Sequence, residues 1–174
     1  MLYIVEMALS QGHTESDWQQ WAQQMKTAEV LMTVPGFVSA QRFKGLSDPL
    51  AYCGIYSIEN AEVMTSEAYR GVGGGVRVQH WNSHITYWNR DIVEGVSIAP
   101  GVAENCVLLV KNAEDLHFDD EGIPFIRLRV TGLNQSVRYK GIAVLPEIEG
   151  MRAAEECVGI RAYRAIGPQL LATG

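Results

Sequence analysis

The sequence predicts an α+β fold built from two split βαβ, or ferredoxin-like, units. Three observations carry that reading. Short apolar runs rich in β-branched and aromatic residues alternate with polar turns and with amphipathic helical stretches. The order strand, helix, strand, strand, helix, strand runs through residues 1–97 and recurs, with weaker signals, through residues 98–174. Finally, Tyr52-x-Gly54-Ile55 and Tyr139-x-Gly141-Ile142 echo each other half a chain apart.

Residues 2–9 form the first strand, an apolar run interrupted only by Glu6. In "GHTESDWQQWAQQMKTAEVLMTVPG", Thr14 and Asp17 make an approximate capping box. Trp18, Trp21, Met25, Ala28 and Met32 then recur at alternating spacings of three and four, one stripe of a helix that Pro35-Gly36 stops. "FVSAQRFKG" and "LAYCGIYSIE" read as a hairpin turned at Ser47-Asp48-Pro49. Asn60 caps a second helix over roughly residues 61–69, and "HITYWNRDI" is the fourth strand. In the second half, "CVLLVKNA", "PFIRLRV", "VRYKGIAVLPE" and "IRAYRAIGP" read as strands, and "EGMRAAEECVG" as a helix. The stretch "EDLHFDDEG" stands where the other helix belongs but lacks its pattern; as an open loop it would leave the second unit degenerate and the structure open on that side.

A chain of 174 residues with 47% hydrophobic and 20% charged residues can bury a core without disulfide or metal staples. A net charge of −6 with scattered basic residues argues against a nucleic-acid partner. No apolar run is long enough for a membrane span, and "MLYIVEMALS" lacks a basic leader region. Cys53, Cys106 and Cys157 are odd in number and widely spaced, so the expected compartment is the reducing cytoplasm.

Gly71 to Gly75 resemble a phosphate loop only superficially. A Walker-type loop needs Lys and then Ser or Thr after its last glycine, whereas Val76-Arg77 follows here. A dinucleotide loop follows a strand and opens a helix; these glycines do the reverse. They read as a helix stop and connector.

The stretch "VPGFVSAQRFKGLSDPLAYCGIYSIENAEVMTSEAYR" resembles the dimeric α/β-barrel superfamily, whose relatives include EthD-like and antibiotic-biosynthesis-monooxygenase-like proteins. The matching features are the helix ending in Pro-Gly-Phe, the strand with Arg42-Phe43, the "YCGIYSIE" strand and the acidic helix start after it. The resemblance implies that antiparallel sheets of two ferredoxin-like units pack into one α/β barrel, helices outside, with a small-molecule ligand held between the sheets. It also implies a broad range of chemistry, from cofactor-independent oxygenation, isomerisation or cyclisation to haem-based reactions or none.

Within that frame, period two sends His84, Thr86 and Trp88 to one face of the fourth strand. His84 is the candidate general acid/base and Trp88, with Tyr52, an aromatic wall; as a lone histidine, His84 can equally be a structural residue. His80 and His13 would approach the barrel mouth as substrate-binding residues, or face solvent. Arg127 and Arg129 share one face of "FIRLRV". The apolar set opposite them is expected against helices, which turns the arginines toward the barrel interior or toward solvent. Inside, they would stabilise a carboxylate or enolate-like oxygen, with Glu6 as a pairing partner and Arg42 offering a similar contact. His117 and its acidic neighbours match no metal-ligand spacing, and Cys53 reads as inert filler.

The function these residues suggest is a small-molecule enzyme acting without a nucleotide or other cofactor on a hydrophobic, aromatic or enol-like acid. A non-catalytic ligand-binding protein on the same scaffold is the alternative. A haem-binding barrel with His84 or His80 as axial ligand ranks behind both. A homodimer is left open.

Overall fold

In the computed structural model, which describes residues 1–10, 12, 16, 27–49, 51–72, 83–116 and 122–172, the first unit runs β1 (Leu2–Leu9), α1 (Thr27–Leu31), β2 (Phe37–Gly45), β3 (Ala51–Ile58), a 3-10 turn (Ala61–Thr65), α2 (Glu67–Val72) and β4 (Ile85–Glu94). The second runs β5 (Cys106–Ala113), β6 (Ile126–Leu133), β7 (Tyr139–Pro146), α3 (Glu147–Glu156), β8 (Ile160–Ala165) and a short β9 (Leu170–Leu171). The tryptophan-rich stripe of Trp18, Trp21 and Met25 lies outside the described residues. Asn60 caps as its position suggests, its side-chain oxygen accepting from the Glu62 N–H at 3.0 Å.

The strands pair in the order β3-β1-β4-β6-β7-β5-β8-β2, and β2 pairs back onto β3. Eight antiparallel strands therefore close a barrel, with β9 on the stretch of β2 that β8 leaves free. Closure removes the exposed edges that an open sheet would present. The fold class is thus α+β, two ferredoxin-like units forming one barrel with the helices outside.

Most strands bury both faces, which is why they read as near-continuous apolar runs. Leu2, Ile4, Phe43, Ile55, Leu108 and Leu128 belong to one inner cluster. On the outer face Tyr3, Tyr56 and Ile92 pack beneath Leu31, Val63 and Tyr69 of the first unit's helical segments. The Tyr3 and Tyr56 rings stack with centroids 5.6 Å apart. Val107, Leu109 and Ala143 pack beneath Met151 and Ala154 of α3. Each fully buried aliphatic side chain contributes roughly 1.5–3 kcal/mol of transfer free energy.

The connection between the units closes one end of the barrel. Ala99 and Val102 enter the inner cluster near the start of β1 and β5. The Ala99 N–H donates to Ser57 Oγ at 2.9 Å, and Gln169 Nε2 donates to the Ala99 carbonyl at 2.9 Å. Gln41 grips Val102 from both sides, donating to its carbonyl at 2.9 Å and accepting from its N–H at 3.0 Å.

Two expectations change. Ile126, Leu128 and Val130 belong to or pack on the inner cluster, not against helices, and Arg127 and Arg129 point outward. The barrel interior is the larger apolar sink, so it takes the apolar set and leaves the arginines exposed. Between β5 and β6 no helix occurs among the described residues, yet the barrel is not open there. β4 pairs directly with β6, and Ile123 and Phe125 pack with the cluster outside β5 and β7.

Candidate functional site

The end of the barrel opposite the connection is polar. β1 delivers Glu6, β4 delivers Tyr87, Asn89 and Asp91, β5 Asn112, β7 Lys140, and β8 Arg161 and Tyr163. Each occupies the inward parity of its strand, so the register gathers them (Glu6 opposite Asn89, Asn112 opposite Lys140). Glu6, Asn89, Asp91 and Lys140 are buried.

Lys140 Nζ lies 2.7 Å from Glu6 Oε2, 2.9 Å from Asn112 Oδ1 and 3.2 Å from Asp91 Oδ2. Asp91 also accepts from Asn89 Nδ2 at 2.6 Å and, through Oδ1, from the Gln135 N–H at 3.0 Å. The other Glu6 oxygen accepts from the Tyr163 hydroxyl at 3.3 Å and lies 2.8 Å from Arg161 Nη2. That arginine contact is electrostatic: Arg161 Nη2 and Nε are buried and make no hydrogen bond.

Buried charges are costly unless paired and hydrogen-bonded; Glu6, Asp91 and Lys140 meet both conditions, whereas Arg161 is paired with Glu6 but donates no hydrogen bond through Nη2 or Nε. Burial opposes the charge on Arg161, but the Glu6 carboxylate and then Tyr163 outweigh it, and the guanidinium pKa moves up. Burial, with Cys53 and Glu6 beside it, pushes the Tyr163 phenol well up, so it stays a neutral donor. Burial and Glu6 do the same to the Cys53 thiol, which remains protonated and unreactive.

At the rim, Tyr87 is 43% exposed and its pKa is raised by burial and by Glu6. Opposite Asp91, the outgoing turn of β6 holds two non-glycine residues at positive φ, Leu133 at 64° and Gln135 at 50°. Strain of this kind persists only where surroundings enforce it, here the Asp91 bond to the Gln135 N–H.

The sequence candidates scatter around this site. His84 is half-buried on the turn entering β4, and its carbonyl accepts from the Ser10 N–H at 2.8 Å. Trp88 and Tyr52 do come together, both opposite Met7 of β1, but on the outer face of the barrel. Arg42, also on the outer face, lines a shallow cleft with Ala28, Glu29, Pro168 and Leu170. Arg127 and Arg129 are exposed, and Arg129 pairs with Glu94 at 2.7 Å. Glu6 pairs with Lys140 and Arg161 instead of with them. His13, His80 and His117 lie outside the described residues. A haem would need a deep apolar slot faced by a histidine; among the described residues the apolar interior is occupied by fully buried Phe43, Leu108 and Ile142, and His84, the one described histidine, lies on the turn entering β4, so the described residues do not fit one. Among the described residues no cluster suited to a metal occurs, and no helix is long and apolar enough to cross a membrane.

Sequence reasoning passed over Asp91, Lys140, Arg161 and Tyr163. For the three charged ones the signal was a charged residue at an inward position of a strand, as Lys140 in the otherwise apolar "YKGIAVL".

No protein-family model matches the chain, and no curated protein does. Solved structures do match. An anthrone oxidase-like protein superposes with a TM-score of 0.63 at 9% identity, over 99% of this chain and 94% of that one. A candidate monooxygenase from Lactobacillus acidophilus gives 0.56 at 11% identity, over 96% and 94%. A candidate chlorite dismutase gives 0.56 at 14% identity, over 95% of both chains. At such identities the likeness is one of fold, the dimeric α/β barrel, shared along nearly the whole length of each chain.

Proposed function

We propose that this chain is a small-molecule enzyme working without a nucleotide cofactor at the polar end of its barrel, on a hydrophobic acid or enol-like substrate. Isomerisation, cyclisation and cofactor-independent oxygenation all begin by moving a proton next to a carbonyl or phenol and holding the negative charge that results. The observation that carries the reading is the asymmetry of the barrel. One end is plugged by the connection between units through Ala99 and Val102, and the other holds Glu6, Lys140, Arg161 and Asp91 beneath an exposed Tyr87.

The names of two fold neighbours, an anthrone oxidase-like protein and a candidate monooxygenase, support an oxidative version. Anthrone is itself an enolisable aromatic ketone. In this reading Arg161, the partly exposed cation of the network, stabilises an enolate-like oxygen. His84, on the turn entering β4 at the same end, is the candidate proton acceptor.

The test is turnover. The full chain is incubated with enolisable aromatic ketones, phenols and aryl acids, and oxygen uptake and product mass are followed. Turnover that His84→Ala abolishes without loss of fold supports both the class and the histidine. Turnover that survives the substitution removes His84 from the mechanism. Binding without any product, at an affinity independent of pH, makes the protein a carrier on the same scaffold.

A further inference from the structure

We infer that Arg161 is the anchor for a planar, singly charged oxyanion, a carboxylate in the first instance, on an aromatic or apolar ligand entering at the polar end of the barrel. This rests on the functional reading above and names the group by which that site holds its ligand.

The two cations of the network differ in what they have left to give. An ammonium has three N–H donors, and Lys140 faces three acceptors: Glu6 Oε2 at 2.7 Å, Asn112 Oδ1 at 2.9 Å and Asp91 Oδ2 at 3.2 Å. It is fully buried and has nothing further to offer. A guanidinium has five donors in a rigid plane. Arg161 Nη2 comes within 2.8 Å of Glu6 Oε1, yet neither Nη2 nor Nε donates a hydrogen bond. Glu6 cannot easily turn to satisfy them, because Lys140 holds one of its oxygens and the Tyr163 hydroxyl bonds the other. Buried donors left without acceptors are costly, and a ligand carboxylate supplies two coplanar oxygens of matching geometry. The Arg161 side chain is 38% exposed while Lys140 is fully buried, but Nη2 and Nε are themselves closed to solvent, so a ligand carboxylate must displace the side chains covering them to reach them.

Charge counting sets the valence. Glu6 and Asp91 balance Lys140 and Arg161, so the site is neutral as built. With one cation holding unused donors, it suits one added negative charge better than two. The rim sets the body of the ligand. Tyr87 and Leu133 are 43% and 41% exposed and stand at the same barrel end, Leu133 opposite Asp91 and Tyr87 four residues before it on the same strand face. Two exposed side chains with apolar bodies above a neutral network that holds one cation with unused donors favour an amphipathic molecule, charged at its inner end.

The experiment titrates the full chain with three probes of one shape: 2-naphthoate, 2-naphthylmethanol and 2-naphthyl phosphate. Binding is read from backbone amide shifts at pH 8 and low salt. The expected result is that the carboxylate binds at least ~10-fold tighter than the alcohol and no weaker than the phosphate, a gap typical of a charged hydrogen-bonded contact. The shifts should centre on Tyr87, Leu133 and Arg161. Arg161→Gln should erase the preference for the acid, and Arg161→Lys, which keeps the charge and loses the fork, should retain part of it. The three-probe comparison on the unaltered chain stands even if Arg161→Gln does not fold. An alcohol that binds the same rim as well as the acid overturns the inference and leaves the small-molecule site standing. So do a phosphate that binds tighter, an acid preference that survives Arg161→Gln, or acid-induced shifts confined to the Arg42 cleft. If none of the three binds, the inference and the reading of this end as a ligand site fall together.

Discussion

Lys140 Nζ and Glu6 Oε2, 134 positions apart in sequence, meet at 2.7 Å inside the barrel. The contact joins the two units, and the network around it divides by sign. Both acids, Glu6 and Asp91, come from the first unit; both bases, Lys140 and Arg161, come from the second. Each unit therefore presents a buried charge that only the other can neutralise. Hydrophobic burial drives the halves together, while the charges penalise any pairing of the strands that leaves an ion unmet.

Removing one partner should expose that penalty. Lys140→Met leaves two buried carboxylates facing each other and should cost about 3–5 kcal/mol, the usual range for a broken buried pair. Glu6→Gln together with Lys140→Met should cost less than the sum of the single changes, because the double variant removes one stranded charge. Urea denaturation of the two single variants and the double variant measures the coupling. Strict additivity would mean that the pair contributes no specific interaction.

Much of the strand order could be read in advance because each strand is an apolar run bounded by local turn chemistry, and Asn60 and Pro35-Gly36 mark helix ends by local geometry alone. Barrel closure was not legible in this way: β4–β6 and β2–β8 pair across the units, and such long-range register leaves no local trace. Period two in "FIRLRV" showed that Arg127 and Arg129 share a face but not which face is inside. That depends on whether a helix covers the outside, which the weak pattern after β5 could not decide. The site was missed for a related reason. Histidines and arginine pairs look like chemistry, whereas a lone Lys140 in an apolar strand looks like an exception to the pattern, although its burial requires a partner.

Gly150 sits inside α3, where alanine would ordinarily improve helix stability by about 1 kcal/mol. Here a Cβ would come 2.1 Å from Val107 Cγ2 on β5. Gly150→Ala should therefore destabilise the protein by about 1–3 kcal/mol through overpacking. Val107→Ala in the same chain should restore part of the loss by vacating that space. Thermal melts of the single and double variants decide it; a stabilising Gly150→Ala would mean that α3 can lift from β5 at little cost.

Gln41→Leu should loosen the plugged end of the barrel. The change keeps side-chain volume but strips Val102 of both hydrogen bonds and Gly167 of one. Each buried group left unpaired costs about 1–3 kcal/mol. Hydrogen exchange should accelerate at the Val102 amide well before the β-strand amides respond. Protection unchanged at Val102 would show that apolar contacts of Ala99 and Val102 hold the plug without the glutamine.

Alkaline pH should destabilise the fold from about pH 9–10 upward, where ordinary thiols and phenols begin to ionise. Burial raises the pKa of Cys53, Tyr3, Tyr56 and Tyr163 in the folded state. Below their unfolded pKa values these groups are protonated in both states, so their contribution is complete and independent of pH. Above them, the unfolded chain releases protons that the folded chain keeps, and stability falls until the folded pKa is passed. Each such group then contributes a slope of about −1.4 kcal/mol per pH unit. Tyr56→Phe removes one titrating group while keeping the ring, so its stability curve from pH 7 to 11 should descend less steeply than that of the unaltered chain. Equal alkaline slopes would mean that Tyr56 ionises in the folded barrel as readily as in the unfolded chain.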